Sequence, residues 1–232
     1  MIGPMVFALA HSPFLGPVSW AGVGEALARL NQPAVVLDLR GALEAADRFY
    51  EAFGRVAAEQ INAPSILVAH SGAGALVPAI ARSAGGLVRA AIFVDALLSH
   101  PDKRWIDTAP SSLVARIRAG AQGGRAPPWP TLLTPADLAR LIPDAGMREE
   151  LISSAPAAPM AFLEEPAPSY GAWAPPAGCA YLQLSSTYDT EAGEARALGW
   201  PVERLSSHHL GAMAEPDLIA QAILRLAGRL NA

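Results

Sequence analysis

Ser71 is the residue in this 232-residue chain best placed to do chemistry. It lies in Ser65-Ile66-Leu67-Val68-Ala69-His70-Ser71-Gly72-Ala73-Gly74-Ala75-Leu76. That is an apolar strand-forming run, a turn of small residues, then a helix-forming run. A serine there is pushed out at the carboxyl end of a buried strand. The turn has no room for large side chains two positions before or after it, where Ala69 and Ala73 stand. A serine hydroxyl is a weak nucleophile at neutral pH and needs a positioned base. A neutral imidazole can take its proton and later return it to a leaving group. A buried carboxylate can fix the imidazole tautomer and steady the imidazolium. The chain offers His11, His70, His100, His208 and His209, and two aspartates, Asp95 and Asp189, that follow strand-like runs. The plain alternative for the turn is packing, since small residues after a buried strand also allow close helix–strand contact.

Those residues need a scaffold. Short apolar runs at Met5–Ala10, Ala34–Leu39, Ile66–His70, Ala90–Leu97, Ala180–Leu184 and Val202–Leu205 read as strands. Helical patterns alternate with them near Trp20–Leu30, Leu43–Gln60, Ala73–Arg82, Glu191–Leu198 and Leu218–Leu230. Continuously apolar strands alternating with helices predict a parallel sheet covered on both faces. The expectation is six core strands with no antiparallel hairpin ahead of the first. The segment 99–178 breaks the alternation and holds 13 of the 21 prolines and three of the five tryptophans. Ser111–Ala121, Pro135–Leu141 and Ala145–Ser154 read as short helices. Pro127-Pro128-Trp129-Pro130 and Pro166–Pro176 read as rigid extended linkers. The organisation expected is a core of 1–98 and 179–232 with a cap or lid of 99–178 inserted.

Composition narrows the function. The chain is 52% hydrophobic with a net charge of −4 and no basic run, which argues against nucleic-acid binding. No apolar run reaches membrane-spanning length. Met1–Ala10 lacks a basic start and reads as a strand rather than a signal peptide. Cys179 is the single cysteine, so no intrachain disulfide can form, and a small core residue is the expected role. A cytoplasmic location fits that usage. Gly72 and Gly74 do not make a dinucleotide fingerprint, and no histidine or cysteine spacing suits a metal. No cofactor and no metal are expected.

The Ser71 turn resembles the nucleophile elbow of the α/β-hydrolases, usually written G-x-S-x-G, with alanine in place of both glycines. Two more segments carry the resemblance. Leu9-Ala10-His11-Ser12-Pro13-Phe14-Leu15-Gly16 is similar to the family's oxyanion loop after the first parallel strand. Ser206-Ser207-His208-His209-Leu210-Gly211-Ala212-Met213-Ala214-Glu215-Pro216 resembles its catalytic-histidine loop. The resemblance spans most of the expected core and leaves the cap unmatched. It implies an α/β-hydrolase fold, Ser71 as nucleophile and His209 as base.

For the acid the resemblance leaves two places. Asp95 closes the fourth strand, where certain haloalkane dehalogenases carry theirs, and it stands first here. Asp189, after the fifth strand, matches the commoner placement, although only 20 residues separate it from His209. Its plain role is to cap a helix beginning near Thr190. Oxyanion donors are expected from the amides of Gly72 and Phe14. The family's usual second donor falls on Pro13, which has no N–H. Trp105, Trp129, Phe162, Tyr170 and Trp173 are the expected walls of an apolar substrate pocket. His11 and His70 are expected to be hydrogen-bonded structural residues, and His100 to be solvated.

The function these features point to is a serine hydrolase acting on an ester, thioester or lactone of an apolar small molecule. Two other readings remain open on the same fold: a proton-transfer enzyme such as a cyclase, lyase or epimerase, and a non-catalytic ligand-binding protein.

Overall fold

The apolar runs do become strands. The computed structural model describes residues 5–171 and 173–230. It contains β1 (Val6–Ala10), α1 (Val18–Arg29), β2 (Ala34–Leu37), α2 (Phe49–Ala58), β3 (Ser65–His70), α3 (Val77–Ser83) and β4 (Val88–Val94). Then come α4 (Trp105–Thr108), α5 (Ser111–Gly120), α6 (Pro135–Leu141), α7 (Ala145–Ser154) and α8 (Met160–Glu164). The chain closes with β5 (Cys179–Gln183), α9 (Asp189–Ala197), β6 (Val202–Arg204), α10 (Gly211–Ala214) and α11 (Pro216–Ala227). The strands form one six-stranded sheet in the order β2-β1-β3-β4-β5-β6. Every neighbouring pair is parallel. The expected six-stranded parallel sheet without a leading hairpin is what the described residues form.

Both faces of the sheet are covered over its inner strands, which is why β1, β3, β4 and β5 read as largely apolar runs. Side chains alternate along each strand. Leu67, Ala69, Ala91, Phe93 and Tyr181 face one core with Phe49, Phe53 and Ile80. Val68, Ile92 and Leu182 face the other, with Trp20, Val23 and Leu27 of α1 and Ile219, Ile223 and Leu226 of α11. Burying each large apolar side chain contributes ~1.5–3 kcal/mol relative to exposure. Cys179 is buried in the first core, and burial pushes its thiol up to about 12, so it stays protonated there.

The strand order creates the site. From β1 the chain goes to one side for β2, then crosses back for β3 on the other side of β1. The loops after β1 and β3 therefore diverge at the carboxyl ends of the strands, the place where open parallel sheets bind ligands. Helices α4–α8 lie between β4 and β5 in the chain. A third apolar cluster joins Leu138 of α6, Ile142 just after it and Leu151 of α7 to Leu15, Leu210 and Met213. It ties the inserted helices to the loop after β1 and the loop after β6. One linker departs from expectation: Trp129–Leu132 winds into a 3₁₀ turn, since proline at its second position suits the start of a helix.

Candidate active site

Ser71 stands at the first position after β3 with φ +57°, the left-handed region that a serine adopts only under tertiary constraint. The chain then turns at once into the 3₁₀ helix Ser71–Leu76 and α3. Ala69 and Ala73 are fully buried on either side. Gly74 is needed at this turn, because a Cβ there would lie 1.9 Å from the Leu97 carbonyl oxygen. The Ser71 carbonyl accepts the Leu97 N–H at 3.1 Å, which locks the turn to the chain leaving β4.

His209 lies in the loop between β6 and α10, with its Nε2 3.1 Å from Ser71 Oγ. Its Nδ1 is 2.8 Å from Asp95 Oδ2. A carboxylate only accepts, so Nδ1 carries the hydrogen and Nε2 accepts from Ser71 Oγ–H. Asp95 is fully buried just after β4. Its Oδ1 accepts the Leu184 and Ser185 amides, each at 2.9 Å, and its Oδ2 also accepts Ser185 Oγ–H at 2.7 Å. Burial alone would raise this carboxyl. The bonds from His209, Ser185 and the Leu184 amide outweigh it and hold the group below its ordinary value.

Two further groups surround His209: Tyr188, which carries no signal in the sequence pattern, and His70, expected as a hydrogen-bonded structural residue. Tyr188 stacks on its ring, centroids 5.2 Å apart, and its hydroxyl lies 3.3 Å from Ser71 Oγ. Burial raises the phenol, so it stays protonated and donates to Ser71. His70 Nε2–H donates to the His209 carbonyl at 2.9 Å, and the two rings lie 4.6 Å apart. Burial first, then the neighbouring His209, lowers His70 to about 3. It therefore stays neutral beside the His209 ring.

Asp189 does not reach His209. It is the first residue of α9 rather than the residue before it, and its side chain caps nothing. Its carboxylate accepts Gln183 Nε2–H and lies 3.7 Å from Arg204. The helix starts one residue early, which moves the expected cap into the first turn, where negative charge is still favourable.

Neither a protein-family model nor a curated protein sequence matches the chain. Solved structures do. An extracellular α/β-hydrolase from a Paenibacillus species, described as sharing structural and functional homology with tobacco salicylic acid binding protein 2, superposes with a TM-score of 0.74 at 17% identity. That match covers 96% of this chain and 99% of that one. A pyrethroid hydrolase from Sphingobium faniae JZ-2 matches with a TM-score of 0.73 at 18% identity, covering 97% of each chain. Tomato methylketone synthase I complexed with 2-tridecanone matches with a TM-score of 0.65 at 16% identity, covering 98% and 99%. The chain has the α/β-hydrolase fold.

Within that fold the remaining expected site residues separate into two groups. The Phe14 ring lies beside Gly72, packs on Trp105 at 4.5 Å between centroids and approaches Phe162 at 6.2 Å. Trp129 meets the His209 ring edge-on at 6.1 Å. Phe162 is buried among Phe49, Tyr50 and Phe53, so it supports this wall from the core. Tyr170 and Trp173 are elsewhere. They line an open cavity of about 330 Å³ with Arg82 and Val88, at the amino end of β4, opposite the Ser71 end of the sheet. Arg82 lies over the Tyr170 ring at 5.9 Å. The proline-rich return to β5 runs back to that strand's start and carries them there.

The other histidines are accounted for locally. His11 Nδ1–H donates to the Ser12 carbonyl at 2.8 Å and its Nε2 accepts the Leu39 amide at 3.0 Å. His100, expected in solvent, is half-buried with Nε2 3.3 Å from the Tyr50 hydroxyl, and burial lowers it. The Phe14 amide, expected to donate to an oxyanion, points instead at Ser12 Oγ at 3.4 Å. Among the described residues no helix is long and apolar enough to cross a membrane.

Proposed function

We propose that this chain is a serine hydrolase that cleaves an ester, thioester or lactone of an apolar small molecule through an acyl-enzyme. The observation that carries the reading is the hydrogen-bonded line from Ser71 Oγ through His209 to the buried Asp95 carboxylate, with Ser71 held in a left-handed turn. In this reading Ser71 Oγ attacks the carbonyl carbon while its proton passes to His209 Nε2. The carbonyl π pair moves to oxygen, and the Gly72 amide donates to that oxyanion. Collapse expels the alcohol or thiol, which takes the proton from Nε2. Water then repeats the sequence on the acyl-enzyme, with His209 as base, and Ser71 is released. Asp95 keeps the Nδ1–H tautomer and stabilises the imidazolium without itself taking the proton.

Segment 99–178 is the lid in this proposal, and Phe14, Trp105 and Trp129 are the apolar surfaces offered to the acyl or leaving group. The names of the hydrolases sharing the fold agree with the reading. The competing proton-transfer reading draws on the Tyr188 phenol at Ser71 Oγ, which gives the site a second proton-bearing group. The test is labelling with a fluorophosphonate probe, then turnover of 4-nitrophenyl esters of rising acyl length. Wild type should label, Ser71→Ala should not, and butyrate or longer acyl groups should be favoured over acetate. A folded wild type that neither labels nor hydrolyses any ester would rule the hydrolase out.

A further inference from the structure

An oxyanion needs two well-aimed donors, and this site has one ordinary candidate. The Gly72 amide lies in the first turn of the 3₁₀ helix Ser71–Leu76, where amides have no intrahelical acceptor. The second donor of the pair should come from the loop after β1, and the amides of residues 13–15 do not offer one. Pro13 has no N–H. The Phe14 N–H points at Ser12 Oγ at 3.4 Å, and the Leu15 N–H donates to the Ser12 carbonyl at 3.0 Å.

The side chain that all this surrounds is Ser12. It is 1% exposed. Its Oγ would lie 3.4 Å from a Cβ built on Gly72, with Pro13 Cδ at 3.3 Å and the Phe14 ring at 3.5 Å. The hydroxyl is therefore pressed against the residue that carries the one available amide. Ser12 Oγ accepts from Phe14, and among the described residues its own hydrogen has no acceptor. A hydroxyl rotates freely to donate while it accepts. Accepting the Phe14 amide polarises the O–H, since hydrogen bonds in a chain strengthen one another in a dry site.

We infer that Ser12 Oγ–H is the second oxyanion donor, taking the place of the amide that Pro13 lacks. The inference rests on the serine-hydrolase reading. No proton is transferred: when the carbonyl oxygen becomes an oxyanion, Ser12 O–H donates a charge-assisted hydrogen bond to it and the Phe14 amide backs that bond. Phe14 thereby acts through Ser12 rather than on the substrate. If Ser12 served only to satisfy the Phe14 amide, its loss would lower stability and leave turnover per folded molecule unchanged.

The test is a double-mutant cycle of Ser12→Ala with Pro13→Ala, because alanine at 13 restores a backbone donor. Turnover and KM are read with 4-nitrophenyl butyrate, tetrahedral-adduct affinity with butylboronic acid, and melting temperature alongside. In the Pro13 background Ser12→Ala should lower kcat ~100-fold or more, as loss of one oxyanion donor does. KM should change little, and boronate affinity should fall in parallel with kcat. In the Pro13→Ala background the same change should cost less than about tenfold, because the new amide takes over the donor's part. Equal losses in both backgrounds, or none in either, would overturn the assignment. If Ser12→Ala does not fold, Ser12→Cys keeps the shape with a weak donor and takes its place in the cycle. A wild type that labels and turns over with no Ser12 effect refutes the oxyanion assignment alone. A wild type that neither labels nor turns over refutes the hydrolase reading and this inference with it.

Discussion

Asp95→Asn removes the charge of the buried carboxylate and resets the tautomer of His209 while keeping the side chain's shape. The partners of the two oxygens decide how an amide would sit. Oδ1 accepts two backbone amides, from Leu184 and Ser185, and both are obligatory donors. Oδ2 faces Ser185 Oγ and His209 Nδ1. A hydroxyl can accept instead of donate, and a neutral imidazole can switch tautomer. The asparagine NH₂ therefore goes to the Oδ2 side. Turning it the other way would set it against two N–H groups and leave them unpaired, at ~1–3 kcal/mol each. On the Oδ2 side it donates to His209 Nδ1, so the hydrogen moves to Nε2 and faces Ser71 without an available lone pair. The base is lost while the fold is kept. Loss of the tautomer and the charge together lowers turnover by ~10⁴ in the protease case, and the same order is expected here. Stability should fall only by about 1–3 kcal/mol, the scale of weakened charge-assisted bonds. The measurements are kcat on 4-nitrophenyl butyrate, the fluorophosphonate labelling rate, and the melting temperature of each variant. Asp189→Asn should stay within threefold of wild type in turnover, since its carboxylate bonds Gln183 and lies near Arg204. If Asp95→Asn keeps a tenth of wild-type turnover, or Asp189→Asn is the dead one, the reasoning from partner chemistry fails.

Three other outcomes follow from the geometry. Tyr188→Phe should change kcat by only about fivefold, the worth of a neutral hydrogen bond of about 1 kcal/mol, whereas Tyr188→Ala should cost more because the ring stacked on His209 goes too. An inactive Tyr188→Phe that still folds would instead put the phenol in the chemistry. Gly74→Ala should destabilise the fold by ~1–3 kcal/mol or more in urea titrations, because its Cβ meets the Leu97 carbonyl oxygen at 1.9 Å and the backbone must move; an unchanged midpoint would contradict that contact. His70 titrates near 6.5 when unfolded and near 3 when folded, so the unfolded state binds the extra proton between those values. Stability should be fully present above about pH 6.5 and decline as pH falls toward 3, and His70→Gln should flatten that limb of the urea-midpoint profile.

Much of the architecture was legible in the residues alone, because its causes are short-ranged. Two-sided burial makes the inner strands β1, β3, β4 and β5 largely apolar runs that can be read one at a time, whereas the edge strand β6, Val202-Glu203-Arg204, is half-exposed and carries two charges. The small residues flanking Ser71 reported a tight turn for a short-ranged reason too: Ala69 and Ala73 are fully buried, where a longer side chain would have to displace its neighbours. What the sequence could not decide was which distant groups meet. In the sequence Asp95 and Asp189 both come after strand-like apolar runs. Asp95 meets His209 because strand order sets β4 beside β3, and because the Leu184 and Ser185 amides turn its carboxylate toward the ring. Tyr188 became a neighbour of Ser71 only once β5 was placed beside β4, and nothing in its local pattern marks it. Trp105 and Tyr170 are both aromatic residues of one proline-rich segment, yet one packs on Phe14 beside Gly72 and the other lies at the amino end of β4. Local sterics write a strand, a turn or a helix into neighbouring residues, whereas the partner of a buried charge, a hydroxyl or a ring is chosen by the path of the backbone through space.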